Sequence, residues 1–341
     1  MKAVDANLLD LLKKATQFVV PIYQRVYSWD HPECEQLWRD IVRAGSNETI
    51  GAHFTGSIVY VERDQGNIAQ AEPALIIDGQ QRTTTVMLLL AALVAHLETL
   101  PEELQEPIDG FSPQKIRGNW LTNPFESGDK VYKLILSKGD RDDLNAVINK
   151  APLADDSTSK VVTNYRFFVD KLRDSQVSLA TVCKGVSKLV VVDVHLARGI
   201  DNPQLVFEAM NSTGKRLTQT DLIRNFVLMD LEPTQQTQLY EGYWFPMEQA
   251  FKNSDERRFD EFVRHYLTVR TGSTPRLDDI YEAFKDYSFA IVEDGGRPED
   301  VVIDLSGSSK YFVAMAMGKE TQPQLASRFL ELEQIKATVA Y

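Results

Sequence analysis

The chain has 341 residues, of which 43% are hydrophobic and 25% charged, and a formal net charge of −12. That length suits two domains, or one large domain with an appendage, and the composition is that of an ordinary globular protein. The acidic balance excludes a protein that coats DNA non-specifically, because phosphate neutralisation needs clustered Lys and Arg; a local basic cleft on an acidic body stays open.

The opening "MKAVDANLLDLLKK" lacks a signal peptide's apolar centre, and no long uncharged apolar run follows. The chain therefore reads as cytoplasmic, with no membrane partner. Cys34 and Cys183 make neither a disulfide framework nor a zinc set, and fit small core residues.

In chain order, "NLLDLLKKA" has the apolar spacing of a short helix. "QFVVPIYQRVYSW" starts as a strand that Pro21 cuts short. "CEQLWRDIVRA" puts Leu37, Trp38, Ile41 and Val42 on one helical face. "HFTGSIVYVE" and "ALIID" are strands, and "TTTVMLLLAALVAHLETL" is a helix apolar nearly all round, hence buried. Residues 101–113 form a loop, and 114–182 are mostly helical. "KLVVVDVHLA" is a late strand that should join the early sheet. "NPQLVFEAMN" and "TDLIRNFVLMD" are helices around the loop "STGKRLTQ", and everything beyond about residue 231 looks helical, with "EDGGRPED" as a loop. The expected architecture is α+β: a small mixed-sheet domain over 1–230 with a helical insertion at about 101–182, then an all-helical extension over 231–341. The closing "KATVAY" lacks a polar fade and reads as the end of a piece of a longer protein.

Three stretches carry candidate chemistry. In "LIIDGQQRTTTVMLLL", an apolar strand ends at Asp78, turns at Gly79, and re-enters an apolar helix near Arg82 or Thr83. A helix N-terminus has unpaired N–H groups and a positive dipole end, which suits an anion. Arg82 adds a bidentate fork for phosphate. Thr83, Thr84 and Thr85 offer hydroxyls for capping, phosphate or magnesium. Gln80 and Gln81 could orient a water, and Asp78 could hold a metal ion or accept a proton. A capped structural turn explains the same spacing, and no P-loop is present.

The second stretch is "FEAMNSTGKRLTQTDLIRN". Lys215 and Arg216 are adjacent loop cations, Thr218 and Asp221 fit a capping box, and Asp221, Arg224 and Asn225 share a helical face. It reads either as a capped helix with a local ion pair or as a second loop over the same ligand. The third is "PIYQRVYSWD". If extended, it lines Tyr23, Arg25, Tyr27 and Trp29 along one side, a surface for nucleic acid; core aromatics beside a structural arginine are the alternative.

These motifs, in this order, resemble the N-terminal domain of the GmrSD-type modification-dependent restriction proteins, a domain shared by the SspE-type effectors of phosphorothioate-based phage defence. The resemblance spans roughly residues 8–270, and "DGQQR" before threonines and an apolar helix is its most specific part. It implies a ParB/sulfiredoxin-like fold. It also implies GTP or ATP hydrolysis at Asp78, Gly79, Gln80, Gln81 and Arg82, and Thr83, Thr84, Lys215, Arg216, Arg224 and Asn225 are the further candidate nucleotide contacts.

The implied partners are modified double-stranded DNA and a C-terminal HNH-type nuclease domain. The five histidines here are scattered, so cleavage itself is expected to be missing from this chain. A phosphorothioate is softer and easier to desolvate than phosphate, so Pro21, Tyr23, Tyr27 and Trp29 as walls, with Gln24 and Arg25 as donors, favour it over a modified-cytosine pocket. Magnesium at Asp78 is the expected cofactor, and self-association stays open. A modified-DNA binding module without turnover, a ParB-like nuclease and a protein–protein regulator are the competing classes.

Overall fold

The computed structural model describes residues 1–62, 73–174, 176–197, 199–210, 217–229, 231–252, 254–255 and 257–334. The chain divides into two compact units, Met1–Pro203 and Gln204–Tyr341.

The first unit is built on a mixed six-stranded sheet of order β1-β6-β3-β4-β2-β5. Strand β1 (Lys2–Asn7) leads into helix α1 (Leu8–Lys14), where the Asn7 side chain accepts from the N–H groups of Leu9 and Asp10. Strand β2 is only Phe18–Val19, as Pro21 demands. Helix α2 (His31–Ser46) starts at an Asp30/Glu33 capping box and buries Cys34, Leu37, Trp38 and Ile41. Strands β3 (His53–Glu62) and β4 (Ala74–Asp78) pair antiparallel, and helix α3 (Gln80–Leu97) follows at once. Beyond it come α4 (Pro113–Ile116), β5 (Leu134–Ile135), α5 (Lys138–Asn149), α6 (Lys160–Asp174) and α7 (Leu179–Ser187). Strand β6 (Leu189–Ala197) returns to the sheet between β1 and β3, antiparallel to the first and parallel to the second.

Helix α3 is the centre of the core. Val86 to Val94 are buried without interruption, so every face of the helix meets protein. Each fully buried aliphatic side chain there contributes about 1.5–3 kcal/mol. Both cysteines are buried thiols, and burial pushes each up to about 12.

The second unit is helical among its described residues. It comprises α8 (Pro203–Met210), α9 (Gln219–Leu228), α10 (Pro233–Leu239), α11 (Phe245–Phe251), α12 (Arg258–Thr271), α13 (Ile280–Glu293), α14 (Pro298–Ala316) and α15 (Pro323–Gln334). Its core stacks Phe251 on Phe259 at 4.7 Å between centroids, with Phe262 and Phe312 alongside. The division comes earlier than the expected boundary near residue 230, for a local reason. Asp260 of α12 accepts from the N–H groups of Gln219 and Thr220, and Tyr281 of α13 takes a hydrogen bond from Gln204, so α8 and α9 are tied to the later helices. No helix among the described residues is long and apolar enough to cross a membrane.

Residues 21–30 are neither strand nor helix. A turn from Pro21 to Gln24 leads into a strip of no regular structure, and that strip has side chains in place of a neighbouring strand. The Val26 carbonyl accepts from Gln81 Nε2 (3.1 Å), the Tyr27 N–H donates to Asp140 Oδ2 (2.5 Å), the Ser28 N–H donates to Gln81 Oε1 (2.8 Å), and the Trp29 carbonyl accepts from Asn164 Nδ2 (2.8 Å). Buried backbone groups must be paired, and this strip is paired by amides and a carboxylate.

Burial, with Asp143 adding to it, pushes Asp140 up to about 6, while the Tyr27 N–H pulls it back. The folded chain therefore binds this proton more tightly than the unfolded chain, whose carboxyl titrates near ~3.9. Stability falls as pH rises from about 4 to about 6 and levels off above. Asp140→Asn keeps an acceptor for Tyr27 and removes this slope. Urea melts should show the variant gaining about 1–3 kcal/mol on wild type between pH ~4 and pH ~7; parallel pH profiles would refute it.

Candidate functional site

Strand β4 ends at Asp78, and Gly79 turns the chain with φ +94°, in the left-handed region. A Cβ at Gly79 would lie 2.7 Å from the Ser57 carbonyl oxygen, so only glycine fits. Helix α3 begins at Gln80, two to three residues earlier than expected, which puts both glutamines and Arg82 in its first turn. Its N-cap is Gly79, so no cap side chain covers the first N–H groups.

Arg82 is half-buried and donates from Nη1 to the Ser57 carbonyl at 2.8 Å. Its guanidinium lies over Gly56, where an added Cβ would sit 2.4 Å from Nη2. Gly56 has φ +110° and belongs to an irregularity in the β3–β6 register between Phe54 and Ser57. The bulge makes the floor on which the arginine rests. Sequence reading missed Gly56 and Ser57, although a glycine inside a strand pattern signals a bulge or a close approach.

Asp78 faces the same spot. Burial pushes its carboxyl above the ordinary range, against the Gly79 N–H, Arg82, the Ser57 hydroxyl (3.5 Å) and Arg25, which pull it down. Burial in turn lowers Arg82, and Asp78 opposes that. Two of the motif stretches therefore converge: Arg25 of the aromatic segment lies within electrostatic reach of Asp78 of the glycine turn. Arg82 in the first turn of an 18-residue helix, beside N–H groups that no cap side chain covers, is an arrangement that favours an anion.

Several expected roles are not compatible with what the side chains do. The Gln81 amide is bound at both ends by Val26 and Ser28, and Gln80 Nε2 donates to Gln24 Oε1 at 3.2 Å, so neither is placed to orient a water. Thr83 returns its hydroxyl to the Gly79 carbonyl at 3.0 Å, and Thr84 is buried, so neither hydroxyl reaches out to phosphate or metal. Pro21, Tyr23, Gln24 and Tyr27 are buried and wall no surface; Gln24 donates to the Ile77 carbonyl, and the Tyr27 hydroxyl meets Thr85 at 2.7 Å. The segment is not a strand, so the expected one-sided alternation fails, and only Arg25 and Trp29 of the six stay half-exposed.

In the second unit, Arg224 is buried between Asp221 (2.7 Å) and Glu248. Burial alone would lower its proton affinity, yet Glu248 and Asp221 outweigh it. Asn225, also buried, donates to the Asp221 carbonyl at 2.8 Å. The Thr218/Asp221 capping box is formed. This is the capped helix with an ion pair, not a nucleotide-facing pair of side chains. Lys215 and Arg216 lie outside the described residues.

Among the described residues, no group of three or more His, Cys, Asp or Glu side chains could hold a metal ion. Magnesium often binds through one carboxylate plus substrate phosphates, and Asp78 fits that limited role.

The fold and the turn define a class: an α+β domain whose mixed sheet delivers an acid to the mouth of a buried helix that carries an arginine in its first turn. The chain belongs to the family described as GmrSD restriction endonuclease, N-terminal domain, whose model matches residues 8–228. The resemblance read from the motifs is thereby confirmed, and the protein is tied to restriction-endonuclease-associated defence, whose target is DNA. No curated protein matches the chain.

Proposed function

We propose that this chain is the modification-sensing nucleoside triphosphatase domain of an antiviral restriction effector. It hydrolyses GTP or ATP at residues 78–82 and reads modified double-stranded DNA, with phosphorothioated DNA as the preferred class. It thereby controls an HNH-type nuclease domain of the full-length protein. The observation that supports this reading most is Arg82 resting over Gly56 in the first turn of α3, with Ser57 hydrogen-bonded to both Arg82 and Asp78.

Terminal phosphate oxygens would lie against the first N–H groups of α3 and the outward edge of Arg82. Asp78 would accept a hydrogen bond from the attacking water and orient it. Magnesium, when bound by Asp78 and the phosphates, supplies charge neutralisation. Arg25 and Trp29, half-exposed on the adjoining segment, would meet the DNA backbone.

The test is phosphate release from GTP and ATP by wild type and Arg82→Ala, with unmodified and phosphorothioated duplexes. Loss of a preorganised donor should lower turnover about 100-fold or more. Equal turnover in the two proteins would remove the nucleotide role from this turn. DNA nicking without phosphate release would support a nuclease instead.

A further inference from the structure

The two glutamines of the glycine turn are buried, and their hydrogen bonds run to the aromatic segment. The pattern is specific. Val26 C=O and Ser28 N–H are two residues apart and both face the Gln81 amide. The Gln81 amide pairs with both, as the N–H and C=O of one residue in a neighbouring parallel strand would.

One residue earlier, Gln80 donates to Gln24, which donates to the Ile77 carbonyl just before Asp78. One turn later, Thr85 donates to the Gln81 carbonyl and so can only accept from the Tyr27 hydroxyl. Residues 24–28 are thus joined to residues 77–85 by five hydrogen bonds that involve a side chain on at least one partner. Arg25, in the middle of the strip, is the residue whose charge reaches Asp78.

We infer that Gln80 and Gln81 are positioning residues that couple the two segments: a displacement of residues 25–29 by bound DNA is carried through their amides to Asp78 and Arg82. This rests on the proposed nucleotide site and names how DNA would regulate it. The device is mechanical. A strip laced by individual side-chain amides can release one bond at a time without disturbing the backbone pairing of the sheet. The glutamines precede Arg82 in the first turn of α3, so any tilt of that turn moves the guanidinium on its Gly56 floor.

The experiment uses the full chain, with Gln81→Met, which removes both bonds at similar volume, and Gln81→Glu, which keeps the acceptor. Thermal melts identify any variant that fails to fold. The first readout is the ratio of turnover with a phosphorothioated duplex to turnover without DNA. It should fall at least tenfold in Gln81→Met and less in Gln81→Glu. An unchanged ratio overturns the inference, including the case where both rates fall together, which marks a catalytic glutamine.

The second readout needs no turnover. Amide exchange over residues 77–85 is followed on adding the duplex alone. Protection should change in wild type and stay constant in Gln81→Met. The same change in both proteins overturns the inference. A wild type that releases no phosphate refutes the nucleotide reading only, and the exchange arm then decides the coupling by itself.

Discussion

Replacing Arg224 by methionine is expected to destabilise the helical unit by roughly 3–5 kcal/mol, the range for removing one partner of a buried ion cluster. The guanidinium holds two carboxylates, Asp221 and Glu248. Glu248 also takes the Trp244 indole N–H at 2.9 Å and the Tyr240 hydroxyl at 3.0 Å. Without the arginine, the two carboxylates beside buried Trp244 lose the cation they share. Methionine fills most of the volume, so the loss is electrostatic and not a cavity. Arg224→Lys should recover only part, because an ammonium presents its donors from a single atom and lacks the planar fork that reaches Asp221 and Glu248 from separate nitrogens. Urea denaturation followed by far-ultraviolet circular dichroism measures it. A loss below about 1 kcal/mol would mean the cluster is open to water.

Gly185→Ala should cost about 3 kcal/mol or more, from a single methyl group. A Cβ at Gly185 would stand 2.0 Å from the Ile41 carbonyl oxygen, and one at Gly45 would stand 1.9 Å from the Thr181 carbonyl oxygen. Helices α2 and α7 therefore touch backbone to backbone at a reciprocal pair of glycines. Alanine is the better helix former by roughly 1 kcal/mol, but that gain is small against driving two packed helices apart. Carbonyl groups cannot rotate away as a side-chain tip can. Gly45→Ala should behave alike, and the double variant should cost less than the sum, because the first methyl already separates the helices. Thermal melts of the three variants test this. Additive losses, or a single loss under about 1 kcal/mol, would show that the crossing can shift freely.

The elements that sequence reading found are those whose own residues carry the signal. Helix α3 announces itself through an unbroken apolar run, and β3, β4 and β6 through valine and isoleucine between turn residues. The Thr218 cap and the Asp221–Arg224 pair are local, three residues apart, and were legible. Strand β1 was not: "KAVDAN" is an exposed edge, stabilised by its register with Val190–His195 and by no pattern of its own. The two-residue strand β5 is buried, but it is too short to carry a pattern of its own.

At the site, the alternation Tyr23, Arg25, Tyr27, Trp29 suggested a strand with one aromatic side. The chain there is extended in part, but its partners are Gln81, Asp140 and Asn164, drawn from 53 to 137 residues away. Tyr27 is buried because those partners hold it, and no local periodicity encodes that. The second carboxylate on Arg224, Glu248, lies 24 residues on and is invisible to helical spacing. The signal that could have been used was Gly56. A glycine amid β-formers asks what approaches it, and the answer is the arginine of the next motif.

The sealed thiols have a practical consequence. Cys34 and Cys183 are the only cysteines, and both are buried with proton affinity too high to form thiolate at neutral pH. The native chain is thus already a silent background for maleimide chemistry. One cysteine introduced at Trp29 or Ile200 would take a fluorophore alone, with no prior removal of native sulfur.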